Sequence, residues 1–236
     1  MIRIYPAESR YAADHGWLKS KFSFSFAEYY DPSNQLFGPL RVFNDDIVQP
    51  GYGFGAHPHR EMEIVSVVLK GELGHEDSTG KKEVVRPGEI QRMSAGTGIV
   101  HSEMNPSQTE EVNFLQLWFL PAETGLTPSY EQKAYDMSKR KNNLLPVVSS
   151  KALEEHVVHI HQDLTMYLSD LEANHTLTFE QAQDRYTYVF VMEGTLRLNG
   201  EAVLNRRDAA RITDITKLQI ETAEGASFML IDLPSA

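Results

Sequence analysis

Two short segments of the chain carry histidine and glutamate side chains at a spacing that suits metal ligation. The first contains His57 and His59, and the second contains His101 and Glu103. In a β-strand, residues i and i+2 project to the same face, so each pair can point in one direction. If the two segments lie on neighbouring strands of one barrel, three imidazoles and one carboxylate converge inside it. Such a nitrogen and oxygen ligand set suits a divalent first-row metal ion.

The residues around these pairs distinguish them from a chance His-x-His pair. Pro58 fixes the backbone between the first two histidines. Glycines before each pair permit bulges or the close approach of another strand, and these are Gly51, Gly53, Gly55, Gly96 and Gly98. By contrast, His159 and His161 lie in a plain alternating strand without such glycines or a partner segment. We therefore interpret His159 and His161 as a solvent-facing strand edge.

The lack of cysteine narrows the chemistry further. The 236 residues include 9 histidines and no cysteine, which excludes disulfides, thiolate nucleophiles and cysteine-bound zinc or iron–sulfur sites. Metal chemistry must therefore use histidine with aspartate or glutamate. Among the other histidines, His75 lies between Gly74 and Glu76, and we expect it to be an exposed turn residue.

Composition and charge exclude several classes of protein. The 22 lysines and arginines against 33 aspartates and glutamates give a net charge of −11, which disfavours binding to nucleic-acid phosphates. The longest apolar run, Tyr188–Met192, is far shorter than the roughly 18 residues of a membrane helix. The first 20 residues contain no apolar core of a secretory signal. We expect a cytoplasmic protein that binds neither nucleic acid nor membrane, and we expect it to be a monomer.

Short strands separated by turns are the main structural pattern. Segments rich in β-branched and aromatic residues are Ile64–Leu69, Val112–Leu120, Val157–Leu171 and Thr187–Met192. A strand followed by a glycine turn recurs at Ser66–Leu73 and Val189–Leu196, which indicates a duplicated module. The sequence therefore predicts an all-β protein with two barrels. The expected boundaries are 1–125 for the first domain, 126–150 for a linker and 151–236 for the second domain.

The longer motifs around the histidines resemble those of the cupins. The first pair is similar to cupin motif 1 in the pattern Gly51-x5-His57-x-His59-x3-Glu63. The second is similar to motif 2 in the pattern Gly88-x5-Ser94-x-Gly96 followed by His101. The long gap before the last histidine, and serine in place of the usual proline, are typical of the pirin family. Further segments that resemble pirins are Lys21–Phe26, Phe37–Asp45, His57–Arg60 and Met93–Glu103.

The resemblance implies a bicupin, with two jelly-roll barrels in tandem and one metal site in the N-terminal barrel. It implies that the metal ligands are His57, His59, His101 and Glu103. Glu63 matches the glutamate that other cupins use as a ligand, and we expect it to support an imidazole here, with ligation as the alternative. Residues 151–236 are expected to form a degenerate cupin without a metal, because no histidine follows His175.

Bacterial members of the pirin family include flavonol dioxygenases, the quercetinases. The resemblance therefore implies one divalent transition metal (Fe, Ni, Co, Mn, Cu or Zn), a flavonol substrate such as quercetin, dioxygen, and carbon monoxide as a product. Glu103, or a nearby carboxylate, is the expected general base for the flavonol hydroxyl. Two other functions stay open: a non-catalytic, metal-dependent regulator that binds another protein, and an isomerase or hydrolase acting on another metabolite.

Overall fold

β-Strands make up nearly all the regular structure of the protein. The structure, a computed structural model, describes residues 1–235. Across these residues the regular elements are 22 strands and two 3₁₀ helices, at Ala7–Ser9 and Met137–Arg140, with no α-helix. The all-β class predicted from the sequence is therefore confirmed. Within the same range, no helix is long and apolar enough to cross a membrane.

The strands are short and are numbered here in chain order. The first twelve are Ile2–Tyr5 (β1), Tyr11–Asp14 (β2), Leu18–Phe22 (β3), Leu40–Val48 (β4), Gly53–His59 (β5), Glu63–Lys70 (β6), Leu73–Asp77 (β7), Lys82–Val85 (β8), Glu89–Ser94 (β9), Ile99–Met104 (β10), Val112–Phe119 (β11) and Ser129–Ala134 (β12). The others are Leu145–Ser149 (β13), Val158–His159 (β14), Thr165–Leu171 (β15), Thr176–Glu180 (β16), Arg185–Gly194 (β17), Leu196–Leu198 (β18), Ala202–Leu204 (β19), Ala209–Ile212 (β20), Lys217–Glu221 (β21) and Ala226–Pro234 (β22).

Two compact units share the chain, and each combines segments that are distant in sequence. The N-unit comprises Tyr11–Tyr135 and Val158–Gln162, and the C-unit comprises residues 1–10, 136–157 and 163–235. This division differs from the boundaries at 125 and 150 expected from the sequence. The stretch expected to be a linker contains β12 and β13, because β12 pairs with β9 and β13 pairs with β15.

The N-unit is built from two antiparallel sheets. One sheet has the strand order β12-β9-β6-β11-β4-β3-β2, and the other has the order β5-β10-β7-β8. Buried apolar side chains from both sheets meet in one cluster, formed by Leu18, Val48, Val68, Leu73, Val85, Val112 and Phe114. A second cluster joins β6, β9 and β10 through Ile64, Met93 and Ile99. Removal of these side chains from water stabilises the packing of the two sheets.

The C-unit repeats this arrangement. Its sheets contain the strand orders β20-β17-β22-β15 and β16-β21-β18-β19. The corresponding orders in the N-unit are β9-β6-β11-β4 and β5-β10-β7-β8, so each strand of the C-unit corresponds to the N-unit strand numbered eleven lower. Gly71 and Gly194 stand at the ends of corresponding strands with φ angles of 79° and 80°, which glycine adopts without strain. The duplicated module expected from the sequence is therefore present. Its core includes Val189, Phe228 and Leu230.

The close approach of β5 and β10 at Gly53 generates a first prediction. A Cβ atom at Gly53 would lie 2.2 Å from the backbone oxygen of Glu103, whereas one at Gly55 would meet nothing within 4 Å. We expect Gly53→Ala to lower the free energy of unfolding by about 1–3 kcal/mol, the usual cost of overpacking. We expect Gly55→Ala, the matched control, to change it by less than about 0.5 kcal/mol. Chemical denaturation measures both values, and equal stabilities would contradict the close pairing of these strands.

Candidate metal centre

Two neighbouring strands bring the three predicted histidine ligands together. In the β5–β10 pair, His57 lies opposite His101, and His59 lies opposite Ile99. Directly opposed residues of antiparallel strands point to the same side, and His59 shares the side of His57 because they alternate along β5. The ring centroids are 4.4–4.8 Å apart. One nitrogen from each ring lies within 4.8 Å of the others, so the three imidazoles can ligate one metal ion.

The surroundings of the rings favour their neutral form. Desolvation, followed by the charge of His57, lowers the pKa of His59 to about 4. Desolvation, followed by the charges of His57 and His59, lowers the pKa of His101 to about 3. Both rings are therefore neutral at pH 7, the state that a metal ligand requires. Nδ1 of His57 donates a hydrogen bond to the backbone oxygen of Gly55 over 2.7 Å, which leaves its Nε2 available for a metal.

The buried Nε2 atom of His101 supports the fit of a cation. This nitrogen has no hydrogen-bond partner among residues 1–235. A buried polar atom without a partner costs free energy, because it has lost its hydrogen bonds to water. A metal ion bound between the rings would accept the lone pair of this nitrogen. The donor set and the orphaned atom therefore fit a transition metal ion.

Glu103 is buried next to His101, but it does not join the cluster of three imidazoles. A bulge between His101 and Glu103 shifts the register of the β5–β10 pair, and bulges re-aim the side chains beside them. The carboxylate instead forms a second group with His101 and His75, whose ligand atoms lie within 4.8 Å of one another. Burial raises the pKa of Glu103, while hydrogen bonds from Gln116 over 3.0 and 2.7 Å partly offset that rise.

His75 is buried beside His101 and Glu103 and does not lie in an exposed turn. The expectation of an exposed turn is wrong, because His75 lies inside β7 and is 2% exposed. Leu73, His75 and Asp77 alternate along β7 with buried side chains, as residues on the inner face of a strand do. That alternation is the signal in the sequence that could have located His75. Gly74 beside it indicates a turn and hides the pattern.

A row of polar side chains crosses the larger sheet of the N-unit and faces Glu103. Gln116 lies opposite both Asn44 and Ser66, and Ser66 lies opposite Gln91. All four side chains are buried, and opposed residues point to the same side. Gln116 and Ser66 contact the Glu103 carboxylate at 2.7 and 3.5 Å. The interior of the N-unit is therefore polar at the level of the candidate site.

Glu63 lies outside the imidazole cluster and has a different role. Its side chain is completely buried. Its oxygens accept hydrogen bonds from the backbone N–H groups of His161 and Gln162, from the ring of His161 and from the hydroxyl of Ser94. Neither group of potential metal ligands in the described chain contains Glu63. The carboxylate of Glu63 thus anchors residues 161 and 162, and its role as an alternative ligand stays a prediction.

The interpretation of His159 and His161 as one solvent-facing edge is correct for His159 only. His159 is exposed, whereas Nδ1 of His161 lies 2.8 Å from a carboxylate oxygen of Glu63. Arg92 contacts the same segment, because its Nε donates to the backbone oxygen of His159 over 2.7 Å. Two buried charged side chains thus fix residues 158–162 within the N-unit, which explains why that segment belongs to it.

Comparison with known proteins gives the family. Residues 6–119 match the family model described as Pirin, and residues 147–233 match the model of the quercetinase C-terminal cupin domain. The chain is 41% identical over 234 residues to the quercetin 2,3-dioxygenase of Escherichia coli (strain K12), with 99% of both chains covered. It is 38% identical over 232 residues to the pirin-like protein of Caulobacter vibrioides, covering 98% of this chain and 99% of that protein.

Solved structures agree with this fold. The crystal structure of YhhW from Escherichia coli has a TM-score of 0.95 at 41% identity, covering 100% of this chain and 99% of that chain. The structure of the bacterial pirin YhhW in complex with nickel(II) has a TM-score of 0.94 at 39% identity, with 100% of both chains covered. The fold is that of an all-β protein with two cupin domains, as expected. The chain belongs to the pirin family.

Replacement of Glu63 distinguishes a role in anchoring residues 161 and 162 from a role as a metal ligand. Glu63→Gln keeps the size of the side chain but turns an NH₂ group toward the buried donors of residues 161 and 162. We expect it to lower the free energy of unfolding by about 1–3 kcal/mol, the cost of a buried unpaired group, and to leave bound metal unchanged. Glu61 accepts a hydrogen bond at an exposed site, so Glu61→Gln is the control. Loss of metal from Glu63→Gln at unchanged stability would contradict the anchoring role.

A second buried carboxylate, Asp46, generates a pH prediction. Burial raises its pKa to about 7, while a hydrogen bond from Ser20 lowers it and the charges of Asp45 and Glu103 raise it. In the unfolded chain the Asp46 carboxyl has its usual pKa of 3.8. As pH rises, the unfolded state therefore loses this proton at a lower pH than the folded state does. Stability therefore falls as pH rises from about 4 to about 7, since the folded state binds more protons there.

Asp46→Asn removes this loss of stability at neutral pH. A pKa difference of one corresponds to about 1.4 kcal/mol, so we expect the stability of the variant relative to the parent to rise by about 2–4 kcal/mol between pH 4 and pH 8. Urea denaturation of both proteins at the two pH values measures this difference. A difference that does not change with pH would show that Asp46 has an ordinary pKa.

Proposed function

We propose that the protein binds one divalent transition metal ion through His57, His59 and His101. The observation that carries this proposal is the convergence of one nitrogen from each ring within 4.8 Å. We propose Glu103 as the fourth ligand, because it lies next to His101 in the same interior. Iron, nickel, cobalt, manganese, copper and zinc all suit this donor set. Nickel(II), the ion in the YhhW complex, is the first ion to test.

The proposed reaction is the opening of the flavonol heterocycle by dioxygen, which yields a depside and carbon monoxide. Quercetin is the proposed substrate, and the relative named quercetin 2,3-dioxygenase supports this choice. The metal ion, when bound, supplies a Lewis acid and a template for the flavonol oxygen. The side chains of the N-unit accept the proton of the flavonol hydroxyl and determine the shape of the binding site.

Glu103 is the proposed general base for the 3-hydroxyl proton of the flavonol. Its carboxylate lies beside His101 in the same buried interior, where it can accept a proton from a substrate hydroxyl. Gln116 donates to both oxygens and fixes the position of the carboxylate. Transfer of the proton to a Glu103 oxygen leaves an electron-rich flavonolate, which is the form that reacts with dioxygen.

His59 borders a cavity and an aromatic ring. A cavity of about 380 Å³ lies against His59 and is lined by Pro58, Arg60, Ser78, Gly98, Ile99 and Val100. Its volume lies in the usual range of ligand pockets, about 300–1,000 Å³. The indole ring of Trp118 lies edge-on to the His59 ring, with centroids 4.7 Å apart. Pro58 and Val100 lie opposite each other and project away from the face that carries His57 and His101, so this cavity adjoins the imidazole cluster only through His59 and Ile99.

Aerobic turnover of quercetin tests this proposal. We expect nickel-loaded protein to bleach quercetin and release carbon monoxide, and His57→Ala to lose both nickel and activity. We expect Glu103→Gln to lower kcat/KM by about 10²–10⁴-fold, the usual contribution of a positioned base. His175→Ala, an exposed residue of the C-unit, is the control. Elemental analysis of each sample reports its metal content.

Two outcomes would contradict the dioxygenase proposal. Metal-saturated protein that leaves quercetin intact would reject this activity and favour the metal-dependent regulator that binds another protein. Conversion of the substrate in the absence of oxygen would favour an isomerase or hydrolase.

A further inference from the structure

His75 and Asp77 lie behind His101, where neither the proposed ligand set nor the proposed reaction uses them. Both side chains are buried and belong to β7. Nε2 of His75 lies 3.1 Å from Oδ2 of Asp77. On the other side of the ring, Nδ1 of His75 lies 3.5 Å from Nδ1 of His101. The three side chains therefore form a continuous chain of polar contacts that ends at a proposed metal ligand.

Asp77 determines which atoms donate and which accept in this series of polar contacts. Its Oδ1 atom accepts hydrogen bonds from the backbone and hydroxyl groups of Thr79 and from the backbone N–H of Lys81. Three donors converge on this oxygen, so the carboxylate acts here as a hydrogen-bond acceptor. Nε2 of His75 must be the donor to Oδ2.

The donor role of Nε2 determines the position of the next proton. When the imidazole of His75 carries a single proton, that proton is on Nε2, and Nδ1 holds a lone pair. The Nδ1–H of His101 can then donate to this lone pair over 3.5 Å, which would leave the lone pair of His101 on Nε2. The same Nε2 is the buried atom of His101 that lacks a hydrogen-bond partner within residues 1–235.

We infer that Asp77 and His75 are positioning residues that hold His101 in its Nδ1–H tautomer and present Nε2 to the metal ion. The inference rests on the proposed metal site and deepens it. The backbone oxygen of Gly55 has the equivalent role for His57, whose Nδ1 it binds over 2.7 Å. Tyr130 packs on the ring of His75, with centroids 4.8 Å apart, and limits its rotation. Groups that orient a ligating imidazole typically change metal affinity by about 10–100-fold.

The nickel affinity of His75 variants distinguishes a positioning role of His75 from a packing role. His75→Leu removes the acceptor, and we expect it to weaken nickel binding about 10–100-fold, as measured by competition with a chelator. His75→Asn places an amide oxygen near the former position of Nδ1, and we expect it to restore most of the affinity. His175→Leu, in the C-unit, is the control. An equal loss in both His75 variants would contradict the inference, because His75 would then act as a ligand or as packing.

The tautomers can also be determined in metal-free protein. Long-range proton–nitrogen NMR correlation spectra of histidine-labelled protein distinguish Nδ1–H from Nε2–H. We expect His101 as Nδ1–H and His75 as Nε2–H, and we expect His101 to lose this preference in His75→Leu. An Nε2–H tautomer of His101 in the parent protein would overturn the inference. If the expected tautomers are present but the parent binds no nickel, the metal proposal fails and the role of His75 in fixing the tautomer is supported.

Discussion

Three imidazoles crowd together where β5 pairs with β10, and this crowding is the constraint on which the site depends. Rings with centroids 4.4–4.8 Å apart repel one another when they are charged. Desolvation avoids that repulsion, because it lowers the pKa values of His59 and His101 to about 4 and about 3. The strand pairing maintains the arrangement, since β10 lies between β5 and β7 in one sheet. A metal ion would give the crowded lone pairs a common partner.

Two buried glutamates of the N-unit have separate roles. Glu63 uses its oxygens to fix residues 161 and 162, whereas Glu103 lies beside His101 and is bonded by Gln116. The C-unit has the same strand order without the same chemistry. Its strands β16 and β21 correspond to β5 and β10, and neither contains a histidine. One duplicated architecture thus supports a unit with a cluster of three imidazoles and a unit whose corresponding strands contain none.

Much of the site could be predicted from the sequence, because the period of two in a strand fixes which side chains share a face. That rule predicted that His57 and His59 share a face, whereas the short β-branched segments separated by turns predicted the all-β class. The rule applies to His75 as well, but the neighbouring Gly74 suggests a turn and hides the alternation of Leu73, His75 and Asp77. It could not assign Glu63, because the partners of its carboxylate lie about a hundred residues away in sequence. The unit boundaries depend on similar long-range pairing, such as that of β1 with β20.

Anomalous diffraction from crystals of the nickel-loaded protein tests directly whether the three imidazoles bind one metal ion. We predict one strong peak at the nickel absorption edge in each chain, bounded by Nε2 of His57, Nε2 of His101 and one ring nitrogen of His59. A nickel peak bounded by other side chains would contradict this prediction. The absence of any peak between these rings, in crystals grown from protein with nickel bound, would contradict it equally.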